Sequence, residues 1–196
     1  MTILKQSNHR MNYSPQINIL SATLADIPSI TAVYQPAVLN GTASFELEPP
    51  DEHEMRRRMA SILDGGYTYL VAEAESVVQG YAYFGPYRPR PAYRWTVENA
   101  IYIAPDMQRQ GVGRLLLTEL VRRAEEAGFR QMVAVIGDSA QHASIALHRS
   151  MGFCQCGIVL SVGFKHGRWL DQVIMQRALG PGDEMAPSVS AKGYPR

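Results

Sequence analysis

Gln108-Arg109-Gln110-Gly111-Val112-Gly113 stands directly ahead of a leucine-rich run with helical spacing. The first N–H groups of a helix have no intrahelical partner and carry partial positive charge, so a loop without side chains at that point can hold a diphosphate. Gly111 and Gly113 clear the approach, and Arg109 and Arg114 add charge at the rim. The same glycines would serve a plain turn before an amphipathic helix. Other phosphate loops fit less well: there is no Gly-x-x-x-x-Gly-Lys-Ser/Thr, and the strand-to-helix spacing is not that of Gly-x-Gly-x-x-Gly. Upstream, Glu98 falls in the middle of a strand-like stretch. Burying a carboxylate is costly unless it has partners, and a carboxylate in such a place is a candidate proton acceptor; a solvated or ion-paired glutamate is the alternative. Arg88, Arg90 and Arg94 alternate with Tyr87, Tyr93 and Trp95 just before it. Arginine forks bind carboxylates bidentately and aromatic rings wall small pockets, although a basic loop facing solvent has the same composition.

These groups need elements to hold them. Residues 17–21 alternate as a short strand, and residues 24–39 follow as a helix with Asp26 and Pro28 in its first turn. Residues 51–63 read as a second helix closed by Gly65 and Gly66. Residues 68–73 and 77–84 form a hairpin pattern, and residues 95–104 a longer strand ending at Pro105. On that strand Val97, Ile101 and Ile103 share one face, and Thr96, Glu98, Ala100 and Tyr102 the other. From Gly111 the period turns helical, with Leu116, Leu117, Leu120, Ala124 and Ala127 on one stripe and Gly128 at its end. A buried strand over 131–136, a helix over 140–151 ended by Gly152, and two strands around His166-Gly167 complete the order. This order is mixed α/β, too irregular for a doubly wound sheet or an eight-fold barrel, and predicts one mixed central sheet flanked by helices.

The chain has 196 residues, 46% hydrophobic and 19% charged, which suits one domain with one core. Composition shifts place it at 17–179, between a flexible polar extension (1–16) and a flexible tail rich in Pro, Gly and Ser (180–196). Nineteen Lys+Arg against 18 Asp+Glu leaves a net charge of +1, no global excess for nucleic acid or an anionic membrane. The start lacks an apolar signal core and no run is long enough to span a bilayer, so a cytoplasmic location is expected. Cys154 and Cys156 share one strand face, poorly placed to pair with each other and lacking further ligands for zinc, and read as reduced thiols.

Gln-Arg-Gln-Gly-Val-Gly between a strand and a long helix, followed by Ala-Ser-Ile-Ala-Leu-His-Arg-Ser-Met-Gly-Phe, resembles the acetyl-CoA signature of the GNAT N-acetyltransferases. Gly85-Pro86-Tyr87-Arg88, Thr96-Val97-Glu98, Val133-Ala134-Val135-Ile136-Gly137 and Lys165-His166-Gly167-Arg168-Trp169-Leu170-Asp171 resemble one branch, the phosphinothricin and methionine sulfone/sulfoximine acetyltransferases. The likeness runs in unbroken order over residues 17–179.

The resemblance implies a GNAT fold with a V-shaped split between the fourth and fifth strands, where acetyl-CoA lies, and no metal. Ile101, Tyr102 and Ile103 would offer backbone groups to the pantetheine arm in the manner of an added strand. Arg109, Gln110, Gly111, Val112, Gly113 and Arg114 would hold the diphosphate. Gln141 stands where the family usually has a cofactor-binding Asn. The substrate implied is the amino group of a small amino-acid-like molecule, with Glu98 as general base, directly or through water. His148 replaces the usual tyrosine as proton donor to the departing thiolate. Arg88 and Arg94 would meet the substrate carboxylate, with Pro91, Ala92, Tyr93 and Thr96 at the substrate and Phe45 closing the other side. Family habit implies a homodimer. Two rival functions remain: a GNAT enzyme acetylating a protein N-terminus or lysine, which needs an open groove, and a non-catalytic CoA-binding module, which needs the glycines but not Glu98.

Overall fold

Alternation along the chain builds the sheet and the leucine stripe fixes its cover. The computed structural model describes residues 16–187. β1 (Asn18–Ser21) leads to a 3-10 turn (Leu24–Asp26), α1 (Ile27–Leu39) and α2 (Glu52–Asp64). The expected helix over 24–39 therefore starts in two steps. Thr23 donates from both its N–H (2.7 Å) and its hydroxyl (3.0 Å) to Asp26 Oδ2, which tightens the first turn before Pro28 opens the α-helix. Asp51 caps α2 by accepting from Glu54 N–H at 2.8 Å.

β2 (Tyr69–Ala74), β3 (Val77–Pro86) and β4 (Thr96–Ile103) form an antiparallel meander, followed by α3 (Val112–Glu126), β5 (Gln131–Gly137), α4 (His142–Ser150), β6 (Cys154–Lys165) and β7 (Arg168–Ala178). The seven strands make one mixed sheet in the order β1-β2-β3-β4-β5-β7-β6. Only β4 and β5 run parallel, and their register stops at Asn99 opposite Ala134 although both strands continue. Past that point they diverge, and the free inner side of β4 from Ala100 to Ile103 forms one arm of a V.

Side-chain alternation splits the core into two layers. On one face Val97, Ala82, Phe84, Met132 and Ala134 pack with Leu116, Leu117 and Leu120 of α3. On the other, Tyr69, Val71 and Tyr81 pack under Ile27, Ile30 and Val38 of α1 and Met55 and Met59 of α2. Glu98 and Tyr102 therefore face the α1/α2 side.

The C-x-C segment differs from expectation. Gln155 pairs with Met175 but Gly157 with Ile174, so Cys156 is the extra residue of a bulge and the two thiols do not share a regular face. Both cysteines are free and exposed. The stretch expected as a flexible tail opens with a hydrogen-bonded turn, Gly182 N–H to Leu179 O (3.0 Å) and Glu184 N–H to Pro181 O (3.1 Å). The extension over residues 1–15 and the tail over 188–196 lie outside the described residues. Among the described residues no helix is long and apolar enough to cross a membrane, and no group of three His, Cys, Asp or Glu could hold a metal.

Candidate active site

The divergence of β4 and β5 opens a cavity of about 170 Å³ lined by Glu98, Ile101, Tyr102, Gln141 and His148, with Tyr83 and Ala43 closing it from the α1/α2 side. Glu98 is half-buried there, and burial raises its pKa above the ordinary carboxylate value, opposed by the charge of Arg88. A carboxylate whose pKa is raised holds a proton more tightly, which makes its ionised form a better general base.

Past the end of β4, Gly111 precedes α3 with φ +87°, a left-handed conformation that glycine adopts freely. A Cβ at Gly111 would meet nothing, so the backbone angle is the constraint there. Gly113 has a different reason: a Cβ would lie 3.1 Å from Leu147 Cδ2, so its bareness lets α3 approach α4. Residues 108–111 form turns that lead into α3, whose first N–H groups have no intrahelical partner and make a row of donors at the helix start. The Arg114 guanidinium reaches across to Ser150 Oγ at 3.0 Å, tying α3 to the end of α4, whereas Arg109 is exposed. Gln110 donates to Asp106 O at 2.7 Å and so braces the loop from behind. Unpaired β4 backbone, free donors at a helix start and a cleft between them fit a long thioester bearing a diphosphate.

His148 is 4% exposed. Its Nδ1 donates to Ser144 O at 2.8 Å, and burial keeps the ring pKa below its usual value, so the ring is neutral with a lone pair at Nε2. That nitrogen lies 3.3 Å from the Asn99 side-chain amide, whose other end is sealed without a partner. Turning the amide so that Nδ2 donates to Nε2 satisfies the histidine. His148 lies against Asn99, the last paired residue before the strands part, and lines the V beside it.

The loop expected to meet the substrate packs on itself. Arg88 lies over the Tyr87 ring at 4.5 Å, Arg94 over Trp95 at 5.2 Å, and Tyr87 meets Tyr93 edge to face. Pro91, Ala92, Tyr93 and Arg94 are exposed, and they and Thr96 line no part of the cavity, because the loop's aromatic and cationic side chains stack on one another. Within this loop only the Arg88 charge bears on Glu98.

Gln141 lines the V, but its amide donates to Thr42 Oγ1 at 3.0 Å. It belongs to a set of anchors on the loop between α1 and α2. Thr42 donates to Asp138 (2.9 Å), Lys165 Nζ to Ser44 O (2.8 Å) and His166 to Gly41 O (3.2 Å). The ring of Phe45 is wedged where side chains on Gly137 and Gly163 would stand. Sequence reading missed Thr42, Ser44, Asp138 and Lys165, because nothing local connects them. It also missed the tyrosines beneath the V, although their same-parity spacing on adjacent strands was visible.

The chain matches the Acetyltransferase (GNAT) family over residues 34–153, a span that contains both arms of the V. The chain belongs to this GNAT family. It is 54% identical to the phosphinothricin N-acetyltransferase of Alcaligenes faecalis over 83% of this chain and 82% of that one. It is 41% identical to the L-methionine sulfoximine/L-methionine sulfone acetyltransferase of Pseudomonas aeruginosa over 84% and 95% of the two chains. A crystal structure of a GNAT superfamily phosphinothricin acetyltransferase from Sinorhizobium meliloti, in complex with AcCoA, superimposes with a TM-score of 0.86 at 47% identity, covering 89% of this chain and 95% of that one. The GNAT fold expected from sequence, with its split between the fourth and fifth strands, is the fold found.

Proposed function

We infer that this protein is an acetyl-CoA-dependent N-acetyltransferase whose acceptor is the amino group of a small amino acid of the phosphinothricin or methionine sulfoximine/sulfone type. The observation that carries the reading is Glu98, a half-buried carboxylate facing the point where β4 loses its partner. The similarity to relatives named for these substrates supports the acceptor class.

The chain's own groups suggest the course of reaction. Residues 108–113 would hold the diphosphate through N–H donors, and the inner edge of β4 would align the pantetheine arm so that the thioester lies in the V. Glu98 accepts a proton from the substrate ammonium, which frees the nitrogen lone pair for attack on the thioester carbonyl carbon. The C–S bond breaks as the C–N bond forms, the sulfur leaves as thiolate, and one of the two hydrogens on the acylated nitrogen passes as a proton to the thiolate or solvent, leaving the amide N–H. Asn99 and His148 keep the strands parted at the right residue. The Arg88 charge favours the ionised form of Glu98 against the effect of burial.

A homodimer is part of the proposal. β6 is an edge strand whose Ile158, Val159, Leu160, Val162 and Phe164, with Trp169 of β7, expose apolar side chains (Leu160 71%, Trp169 62%). A long apolar edge calls for cover, and a second copy supplies a self-complementary one. The cytoplasm is the proposed location, consistent with two free exposed thiols.

The test is thiol release from acetyl-CoA over a panel of phosphinothricin, methionine sulfone, methionine sulfoximine, ordinary amino acids and short peptides. Turnover confined to the first three is expected, with Glu98→Gln lowering it roughly 10²–10⁴-fold while CoA still binds. Activity on peptides alone overturns the acceptor, and an active Glu98→Gln variant overturns the base.

A further inference from the structure

A second cavity of about 300 Å³ lies beneath α2, walled by Tyr69, Tyr81, Tyr83 and Tyr102, with Arg58 and Glu46 at its side. Its rings are held in rank: Tyr69 stacks on Tyr83 at 4.9 Å and on Tyr81 at 5.7 Å, and Tyr81 on Tyr102 at 5.3 Å. Tyr69 and Tyr81 are only 4% and 1% exposed. Tyr34 next to them is fully engaged, donating to Glu46 at 2.8 Å and meeting Ser44 Oγ at 2.7 Å. The hydroxyls of Tyr69, Tyr81 and Tyr83, in contrast, have no hydrogen-bond partner among the described residues. Nor are they sealed: the buried polar atoms shut away without partners are Asn99 Nδ2 and Arg130 Nη1. Buried hydroxyls are nearly always hydrogen-bonded, so donors that open into a cavity call for a ligand with acceptor atoms.

This chamber adjoins the V. Tyr83 and Tyr102 wall both. Tyr83 pairs with Ala100, two residues along from Glu98 on the same face, a distance of roughly 7 Å at the strand rise. An amino acid with its amine at Glu98 would carry the end of a four- or five-atom side chain to those hydroxyls.

We propose that the chamber receives the substrate's side chain, and that the hydroxyls of Tyr69, Tyr81 and Tyr83 read a head with two acceptor oxygens, of sulfone or phosphinate type. The assignment rests on the acetyltransferase reading above. A tetrahedral head with two oxygens accepts from two converging donors at once, whereas an unoxidised alkyl or thioether side chain leaves them unpaired. Discrimination then comes from the enzyme's unsatisfied groups when the wrong side chain binds. Rings stacked this closely cannot turn away to find water.

The variants Tyr69→Phe, Tyr81→Phe, Tyr83→Phe and the pair Tyr69→Phe/Tyr81→Phe remove hydroxyls and keep the rings. kcat/KM is measured for methionine sulfone and for norleucine, which matches its length without oxygens. The ratio of the two is expected to fall roughly 5–10-fold for each hydroxyl that reads the head, mainly through KM for the sulfone. A ratio that stays at the wild-type value in all the variants overturns the assignment, since a merely structural defect lowers both substrates together. Titration calorimetry of methionine sulfone keeps the chamber testable if the wild type turns over neither substrate. In that case the acetyltransferase reading fails. Equal sulfone affinity in the wild type and the double variant would sink the chamber as well, and weaker binding in the variant would uphold it.

Discussion

Phe45 is the wedge that fixes the wall of the V, and the glycines on either side of it make that testable. One edge of its ring lies where a Cβ on Gly137 would stand, 2.8 Å away, and the other edge where a Cβ on Gly163 would stand, 2.5 Å away. The ring cannot yield to one without striking the other. Gly163→Ala therefore overpacks the site and should cost about 1–3 kcal/mol, a Tm drop of about 2–12 °C for a chain of this size. Phe45→Ala removes the obstacle at its own cost of roughly 2 kcal/mol, about half that of a fully buried phenylalanine. In the Phe45→Ala background Gly163→Ala should then be nearly free, a coupling of about 1–3 kcal/mol. Gly137→Ala behaves differently, because its Cβ would also lie 2.6 Å from the backbone carbonyl of Thr42, which no side-chain truncation removes. Its cost should persist in the Phe45→Ala background. Urea and thermal unfolding of the five variants, followed by circular dichroism, complete both cycles. Additive energies for Phe45 and Gly163, or a Gly137→Ala rescued as fully as Gly163→Ala, would refute the wedge.

The active-site carboxylate makes the reaction pH-dependent in a stated direction. As the proposed base Glu98 must be ionised, so kcat/KM is expected to rise with pH through a pKa that burial lifts above the usual carboxylate value; Arg88→Gln removes the opposing charge and should move that limb further to alkaline pH. An unmoved limb would detach Arg88 from Glu98. Burial tends to raise the Asp138 pKa, but hydrogen bonds from Ala140 N–H, Arg168 and Thr42 outweigh it and hold it below the usual value. Its contribution to stability is present above the unfolded pKa of about 3.9 and is lost as pH falls below it, and Asp138→Asn should flatten that part of a stability–pH curve. Gly111→Ala forces a left-handed angle on a residue with a side chain, costing about 1–2 kcal/mol, or about 2–8 °C in Tm, and should weaken CoA binding measured by calorimetry.

Much of the fold was legible in the sequence because its signals are local. Alternation marked β1, an apolar run marked β5, the leucine stripe marked α3, and Pro105 marked the end of β4 to within a residue or two. The phosphate loop could be found for the same reason, since a helix start and its glycines are neighbours in the chain. Glu98 stood out as a charge where a strand should be apolar. What each glycine does was less legible: Gly111 answers to a backbone angle and Gly113 to Leu147 on another helix.

The sequence by itself determined the order of elements, the faces of each strand, and the family through its motifs. Only the tertiary structure decided which groups meet. Lys165 reaches Ser44 across 121 residues and Thr42 reaches Asp138 across 96, pairings that no window of local pattern contains. It buried His148 between a main-chain carbonyl and Asn99. It left the arginine loop stacked on its own aromatics at the surface. It also gathered tyrosines from three strands around one cavity, because same-parity residues on paired strands share a face, and pairing is set by the fold.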